Sequence, residues 1–303
     1  MPKAAESGDR PAGSDSWARI TVVFVTHNSA AVLPKTLENL KDAHRIIIVD
    51  NASSDGTADV AQRLHPGVEV VRRNDNLGIT IASNQGFRMA KTDYVLHINP
   101  DIRFAEDCIA RLVETMDANP NAAVVGPLVA NHKGDPELDV MHGREIRHRK
   151  IAVPPDGPFC TWFVTGAICL WRRRALEQLG GFDENIFLYY EDNDLCLRAA
   201  KAGWSLIVEP RAKGDHYGGQ SGAVSYRSHW RRDWNLAWGH LYFEAKHGDP
   251  AKTRRVAWAT IARFSWGVVV GLLRLRPVKV VGSLARVAGA VDWLRGRPSW
   301  NRV

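Results

Sequence analysis

A regular alternation between two kinds of segment is the feature that most constrains the fold of this chain. From Trp17 to about Val129, short runs of β-branched residues alternate with longer stretches of helical periodicity. The strand-like runs read RITVVFVT, RIIIVD, VEVVRR and YVLHINPD, and the helical stretches include VLPKTLENLKDA and EDCIARLVETMDA. Continuous apolar strands separated by helices are typical of a parallel sheet covered on both faces. The pattern therefore predicts an α/β fold.

The two ends of the chain differ from this central part. Residues 1–16 are polar, rich in small residues and lack the apolar core of a signal peptide, so they are expected to form a disordered tail. Residues 223–303 hold fifteen Lys or Arg against four acids, and seven of the eleven tryptophans. Basic residues interleaved with tryptophan suit an anionic membrane surface, and nucleic acid is the rival partner for such charge.

One segment of the basic region is apolar enough to enter a membrane. VAWATIARFSWGVVVGLL, residues 256–273, contains Arg263 as its only charge. Its length is close to the minimum for a membrane span, which is roughly 17 to 25 residues. A charge in the middle of the segment favours a helix that lies in the membrane interface. A spanning helix and a helix packed against the protein body are the alternatives.

Cysteine usage indicates the redox environment. The four cysteines lie far apart, with no CxxC pair and no even ladder of spacings: Cys108, Cys160, Cys169 and Cys196. This distribution argues against a zinc site and against a disulfide framework. Reduced thiols in a cytosolic setting are therefore expected.

Polar side chains follow the predicted strands, at the sheet edge where ligands bind in α/β folds. Asp50 ends an apolar run, and its carboxylate can accept hydrogen bonds from a base N–H or a ribose hydroxyl. Asn99-Pro100-Asp101 follows YVLHI, and a carboxylate there can hold Mg²⁺ or Mn²⁺ against phosphate oxygens. An ordinary Asx turn is the alternative for that tripeptide.

A third polar segment, NDNLGITIASNQGF, leads into a helix and contains Asn76 and Gly78. Helix N-termini attract anions, and glycine allows the backbone to approach them closely. A loop that merely caps the helix explains the same residues. The segment does not contain GxGxxG, so the dinucleotide-binding fingerprint is missing.

The stretch FLYYEDNDLCLRAAKAGW places acids after aromatic residues and before a helix. Acids are favoured at a helix start, where Asp192 or Asn193 could simply cap the helix. The aromatic run would alternatively set the acids at the mouth of an apolar wall, where a carboxylate can act as a general base. His216, in the glycine-rich loop GDHYGGQS, could ligate a metal that a carboxylate already holds.

A series of motifs in order gives a more specific interpretation. The motifs are VVFVTHNSAAVLPKTLENL, IIIVDNASSDGTADVA, RNDNLGITIASNQGF, YVLHINPDI, FVTGAICLWRRRALEQLGGFDENIFLYYEDNDLCLRAAKAGW and HYGGQS. Together they resemble family 2 nucleotide-sugar glycosyltransferases, and most closely the bacterial rhamnosyltransferase-like branch, over about Ile20 to Ser221. The resemblance implies a GT-A type fold, with a Rossmann-like mixed sheet flanked by helices, and transfer that inverts the anomeric centre.

The resemblance also assigns roles to residues. It implies that Asp192, in the pair with Glu191, is the base that accepts a proton from the acceptor hydroxyl. The first position of the family's DxD motif is Asn99 here, a departure common in this branch, so Asp101 would carry more of the metal binding, assisted by His216. The implied donor-binding residues are Thr26, Asn28, Asp50, Asn76, Gly78, Asn99 and Asp101. Asp194 is a weaker candidate for the base.

The resemblance names classes of ligand as well. It implies a nucleoside-diphosphate sugar donor, with dTDP-rhamnose favoured over UDP- or GDP-sugars, a divalent cofactor, Mg²⁺ or Mn²⁺, and a glycan or polyprenyl-diphosphate-linked acceptor. The expected organisation is a tail over 1–16, a GT-A domain over 17–222 and a membrane-associating helical region over 223–303. The enzyme would act at the inner face of the cell membrane, without nucleic acid. A sugar nucleotidyltransferase or a non-catalytic binding module are the alternatives.

Overall fold

The computed structural model describes residues 14–130, 140–142, 145–149, 155–216 and 225–299. Residues 1–13 of the predicted tail therefore lie outside the described residues, as does the loop over 217–224. The last three residues of the predicted tail, 14–16, were expected to be disordered but lie in a short helix, α1, which spans Ser14–Ala18.

Eleven strands occur in the described part of the chain. In order they are β1 Ile20–Thr26, β2 Ile46–Asp50, β3 Glu69–Arg72, β4 Tyr94–Ile98, β5 Ile102–Phe104, β6 Ala122–Ala130, β7 Val140–His142, β8 Glu145–Arg149, β9 Phe159–Thr161, β10 Ile168–Arg172 and β11 Ser205–His216. Nine of them form one sheet in the order β3-β2-β1-β4-β10-β6-β11-β5, with β9 beside β11. The other two, β7 and β8, pair as a separate hairpin-like ladder.

Nine further helices follow α1 among the described residues. They are α2 Leu33–Asn39, α3 Thr57–Leu64, α4 Gly78–Met89, α5 Cys108–Ala118, α6 Arg173–Leu179, α7 Glu191–Lys201, α8 Tyr226–His247, α9 Pro250–Leu273 and α10 Pro277–Leu294. Helix α6 ends at Leu179, and Gly180 caps it in the left-handed conformation.

The sheet is parallel in its first half and mixed in its second. Strands β1, β2, β3 and β4 are parallel neighbours, as the apolar runs predict, and the strands of this half are buried on both faces except at β3. Strand β10 then runs antiparallel to both β4 and β6. Because β1, β2 and β4 point the same way, the residues that follow them meet at one edge of the sheet.

The three C-terminal helices have a core of their own. Along α8, Trp234 and Trp238 are buried and stack in series with Tyr242, and they pack against Ala285 of α10. These aromatic residues, spaced four positions apart on one face of α8, therefore serve helix packing. Of the six tail tryptophans that the structure describes, only Trp258 and Trp266 on α9 are mostly exposed, at 62% and 67%.

Helix α9 is the only described helix long and apolar enough to cross a membrane, by length and composition alone. One stripe of it, which includes Thr253, Ala257 and Gly271, is buried, and the helix packs against α10. Only 11% of its most apolar window is buried. The helix thus combines a packed stripe with a broad exposed apolar face.

Candidate active site

Asp50 lies at the carboxyl end of β2, where neighbouring groups fix its side chain. The Thr26 hydroxyl donates to Oδ1 over 2.9 Å, and the Ser53 hydroxyl donates to the same oxygen over 2.5 Å. The Ser53 N–H donates to Oδ2 over 3.3 Å. Asp50 is buried, so these donors orient a carboxylate that burial would otherwise destabilise. Thr26 therefore contributes to this cluster by fixing the position of the Asp50 carboxylate.

Asn28 fixes the turn that follows β2. Its backbone is left-handed, with φ of 52°, and its N–H donates to the Ser53 hydroxyl over 2.8 Å. Its side-chain oxygen accepts from the Ser54 N–H over 2.9 Å. Asparagine tolerates this backbone conformation better than most residues. The structure thus brings Thr26, Asn28 and Asp50 together, as the resemblance implies.

The loop before α4 joins this cluster through Asn51. The Asn51 amide donates to Asn76 Oδ1 over 2.8 Å and to the Gly78 carbonyl over 3.0 Å. The Gly78 N–H in turn donates to Asn76 Oδ1 over 3.1 Å. The sequence analysis did not select Asn51 as a site residue. Its place at a strand end was the signal for this bridging role.

Gly78 connects the donor side to the segment that precedes the acidic pair. Its φ is +89°, and a Cβ at this position would lie 2.4 Å from the carbonyl oxygen of Phe187. That carbonyl accepts the N–H of Ile79 over 2.9 Å. The glycine is needed because the two backbones touch there.

The Gly78→Ala substitution is expected to lower the free energy of unfolding by about 2 kcal/mol or more, because it adds a clash to a left-handed backbone. Denaturant titration of the full chain measures the change. Gly56→Ala is the matched control, since Gly56 has φ of +79° but nothing within 4 Å of its Cβ position. Equal losses in the two variants would mean that the contact with Phe187 carries no stability.

The Asn99-Pro100-Asp101 turn follows β4 at the same edge of the sheet. The Asn99 N–H donates to the Ala167 carbonyl over 2.9 Å, and the Thr36 hydroxyl donates to the Pro100 carbonyl over 2.6 Å. Asp101 is buried and lines a cavity of about 220 Å³. Two cations, Lys35 and Arg103, line the same cavity. Groups of both charges thus line one small cavity.

His216 is placed differently from the sequence expectation of a flexible loop. It is the last residue of β11, and its backbone pairs with Ile102, the residue after Asp101. Strand β11 extends through Lys213 and Gly214 to His216, because β6 and β5 pair with it there. The backbone of His216 is therefore close to that of Asp101.

The acidic pair adjoins this turn. The Gly166 N–H donates to Asp192 Oδ2 over 3.1 Å, and the Asn193 N–H donates to Oδ1 over 2.9 Å. Gly166 precedes Ala167, which accepts the Asn99 N–H. Asp192, the candidate base, is therefore connected to the turn that carries Asp101 through two hydrogen bonds and the peptide unit between Gly166 and Ala167.

The prediction that Asp192 or Asn193 caps the helix is wrong. Helix α7 begins at Glu191, its N-cap is Tyr190, and no side chain caps it. Asp192 lies in the first turn, where its carboxylate accepts the N–H of Asn193 in the helix and the N–H of Gly166 in another segment.

Glu191 differs from Asp192 in its surroundings. Its Oε2 atom is buried and has no hydrogen-bond partner. Burial, and then the negative charge of Asp192, raise the pKa of Glu191 well above its usual range. The protonated form of Glu191 is thereby stabilised relative to an ordinary glutamate, because burial and the neighbouring charge both oppose ionisation.

Two consecutive tyrosines before the pair adopt the left-handed conformation. Tyr189 has φ of 66° and Tyr190 has φ of 73°. Bulky residues adopt this region at a cost of order 1–3 kcal/mol each, and such strain clusters at functional sites. Gly239 of α8 approaches both residues, since its Cβ position lies 3.0 Å from the Tyr189 carbonyl. The Tyr190 ring also packs against His240. Sequence periodicity gave no sign of this strain.

Asp194 has a structural role as the centre of a buried ion-pair cluster. It is fully buried, and it pairs with Arg198, with Lys246 and with His247 Nε2, over 2.8, 2.6 and 2.7 Å. Burial alone would raise the pKa of Asp194, but hydrogen bonds from His247, Lys246 and Arg198 lower it to about 2. Asp194 therefore joins α7 to the end of α8, and it is not directed towards the proposed reaction.

Comparison of folds places the molecule in a class. Its backbone resembles the mannosyltransferase PcManGT from Pyrobaculum calidifontis, solved in complex with GDP-Man and Mn²⁺, with a TM-score of 0.58. The match covers 93% of this chain and 92% of the other, at 19% sequence identity. The predicted GT-A type mixed α/β fold is confirmed.

Sequence comparison then identifies the family. Residues 21–180 match Glycosyl transferase family 2, so the chain belongs to this family and is a glycosyltransferase. It is 29% identical over 244 residues to the N-acetylglucosaminyl-diphospho-decaprenol L-rhamnosyltransferase of Mycobacterium tuberculosis, covering 69% of this chain and 80% of the relative. It is 26% identical to rhamnosyltransferase WbbL of Escherichia coli, covering 65% and 83%. The predicted likeness to the rhamnosyltransferase-like branch is confirmed.

Proposed function

We propose that the protein transfers rhamnose from a nucleoside diphosphate, with dTDP favoured, to a hydroxyl of a polyprenyl-diphosphate-linked glycan, with inversion at the anomeric carbon. Two relatives are named as rhamnosyltransferases, and one name specifies a diphospho-decaprenol acceptor. The observation that carries the proposal is the link from Asn99 through Ala167 and Gly166 to Asp192. It sets a carboxylate beside the strand end where the donor's diphosphate would lie.

The donor's nucleoside would lie over the ends of β1 and β2. Asp50 is held by Thr26 and Ser53, so its position does not depend on a ligand. A fixed carboxylate can select a base N–H or a ribose hydroxyl with little loss of conformational entropy on binding. The loop of Asn76 and Gly78 would close the other side, at the N-terminus of α4.

A divalent metal fits the residues near Asp101. A carboxylate oxygen from Asp101 and an imidazole from His216 are donor types that Mn²⁺ accepts, and Mg²⁺ sites often take one carboxylate with phosphate oxygens and water. No cluster of three ligating side chains occurs among the described residues, which suits a site completed by substrate. Such a metal would neutralise charge on the departing diphosphate.

Asp192 would act as the general base. Its two oxygens accept backbone N–H groups and are half-buried, so the carboxylate has a fixed direction. The acceptor oxygen would attack the anomeric carbon while the bond to the diphosphate oxygen breaks, and the proton would pass to Asp192. The Tyr189–Tyr190 segment before it would form the wall beside the incoming acceptor.

Helix α9 would attach the protein to the inner face of the cell membrane. Its exposed face carries Trp258 and Trp266. Tryptophan side chains suit the interface between headgroups and acyl chains, and these two are exposed where they could reach it. The GT-A domain over 17–222 and the helices over 223–303 would then present the site to a lipid-borne acceptor.

The test is incubation of the full chain with dTDP-rhamnose, Mn²⁺ and a polyprenyl-diphosphate-linked GlcNAc acceptor. Release of dTDP with matching glycosylation of the lipid is the expected result, and Asp101→Ala is expected to lower this turnover at least tenfold. UDP-glucose serves as the mismatched donor. Formation of dTTP and rhamnose 1-phosphate when pyrophosphate is added would indicate a nucleotidyltransferase, and no turnover with any donor would indicate a binding module.

A further inference from the structure

A groove of about 620 Å³ lies among α8, α9 and α10, away from the donor residues. Four cations line it: Arg232, Arg276, Lys279 and Arg286. The one carboxylate in its lining, Asp233, pairs with Arg232 over 3.1 Å and with Arg286 over 2.9 Å. The groove is therefore strongly positive.

Two of these cations are available to a ligand. Within the described part of the chain, neither Arg276 nor Lys279 has a carboxylate within ion-pair distance, and both are exposed. They lie three residues apart at the beginning of α10, after the turn that ends α9. A single anionic group between them would be bound by both.

The rim of the groove is apolar. Leu275 is 88% exposed with φ of 50°, and Val278 is 46% exposed. The left-handed backbone of Leu275 ends α9, because the N–H groups of Leu275 and Arg276 donate to the carbonyls of Leu272 and Gly271. The exposure of the leucine side chain is not needed for that cap, so the apolar rim itself is the feature available to a ligand. The exposed face of α9 continues the rim through Trp266 and Leu273. Positive charge and apolar surface thus adjoin each other.

The inner wall of the groove reaches the strained tyrosines. Arg286 and Arg232 are close enough to act electrostatically on Tyr190 and Tyr189, respectively. Arg231, next along α8, lies over the Phe187 ring at 5.0 Å. The groove therefore adjoins the segment that leads directly into Glu191 and Asp192.

We propose that this groove binds the diphosphate of the lipid-linked acceptor, with Arg276 and Lys279 as its ligands and the Leu275 rim against the first isoprene units. A diphosphate carries at least two negative charges and leads directly to an apolar chain, and the groove offers the complementary surface in the same order. This inference rests on the proposed function, since it assigns that function's acceptor to a place.

The test uses farnesyl diphosphate and isothermal titration calorimetry on the full chain, with saturating dTDP to occupy the donor site. The Arg276→Glu/Lys279→Glu double variant is expected to bind farnesyl diphosphate at least tenfold more weakly than the unmodified chain. Lys41→Glu/Arg63→Glu makes the same charge change at two exposed positions elsewhere, in the turn after α2 and on α3, and is expected to bind normally. Thermal melting checks that each variant is folded.

Two partial probes separate charge from hydrophobicity. Farnesol lacks the diphosphate and inorganic pyrophosphate lacks the chain, and each is expected to bind at least tenfold more weakly than farnesyl diphosphate. Equal binding by the double variant and the unmodified chain would overturn the assignment, as would equal binding of farnesol. Donor turnover without groove binding would refute this inference alone, whereas groove binding without turnover of any donor would refute the proposed transfer alone.

Discussion

The Asp192→Asn variant is expected to lose about a thousandfold in kcat, because the amide cannot accept the proton that leaves the acceptor hydroxyl. Asparagine keeps one carbonyl oxygen, which can accept the Gly166 N–H, whereas its NH₂ group cannot accept the Asn193 N–H, so one local hydrogen bond is lost and thermal melting checks that the variant is folded. Donor affinity, measured by thermal stabilisation with dTDP and Mn²⁺, is expected to stay within about twofold of the unmodified chain.

Asp59→Asn is the matched control for this loss. Asp59 lies exposed on α3 and pairs with Arg72 at the surface, far along the chain from the acidic pair. Its amide variant should retain full activity. If Asp192→Asn keeps kcat within about threefold, another group takes the proton, and Glu191 becomes the next residue to substitute.

The Asp194→Asn variant is expected to lose about 3 kcal/mol of unfolding free energy at neutral pH. Removing one charge from a buried ion-pair cluster leaves Arg198 without its carboxylate partner and leaves Lys246 with Asp183 alone. Urea titration measures the loss. Asp59→Asn again gives the surface reference, where a loss below about 0.5 kcal/mol is expected.

The difference in unfolding free energy between the unmodified chain and Asp194→Asn is expected to depend on pH. The folded state lowers the pKa of Asp194 from 3.8 to about 2, so its contribution is present above pH 3.8. The contribution is lost as pH falls towards 2, because protonation then occurs in the folded protein too. The gap between the unmodified chain and Asp194→Asn should therefore narrow below pH 3.8. A gap that stays constant down to pH 2.5 would contradict the role of the Asp194 charge.

The parallel half of the fold could be predicted from sequence because its signal is local. Apolar runs such as IIIVD record burial on both faces directly, and β1, β2 and β4 appear where the runs do. The polar residues that follow them, Asp50 and Asp101, could be chosen for the same reason. The antiparallel direction of β10 leaves no such local pattern in the sequence, because it depends on pairing with strands that are distant along the chain.

The supporting contacts of the site could not be predicted, because they join distant segments. The left-handed backbone of Tyr190 and its contact with α8 leave no periodic trace in the sequence. Asp194 was grouped with its acidic neighbours, and only the position of His247 on another helix separates it from them. The tail tryptophans likewise suggested a membrane surface as a set, although Trp234 and Trp238 fill a helical core.

The contact between α8 and the two tyrosines has a consequence for how this chain can be recombined. Gly239 lies against the Tyr189 carbonyl, and Ser299 accepts the Phe187 N–H over 3.0 Å. A chimera joined at residue 222 would therefore pair one protein's reaction centre with another protein's scaffold. A junction upstream of Phe187 would keep these contacts within one parent but would separate Phe187 from Gly78 and Asp192 from Gly166, so residues 187–192 must match both parts of the fold.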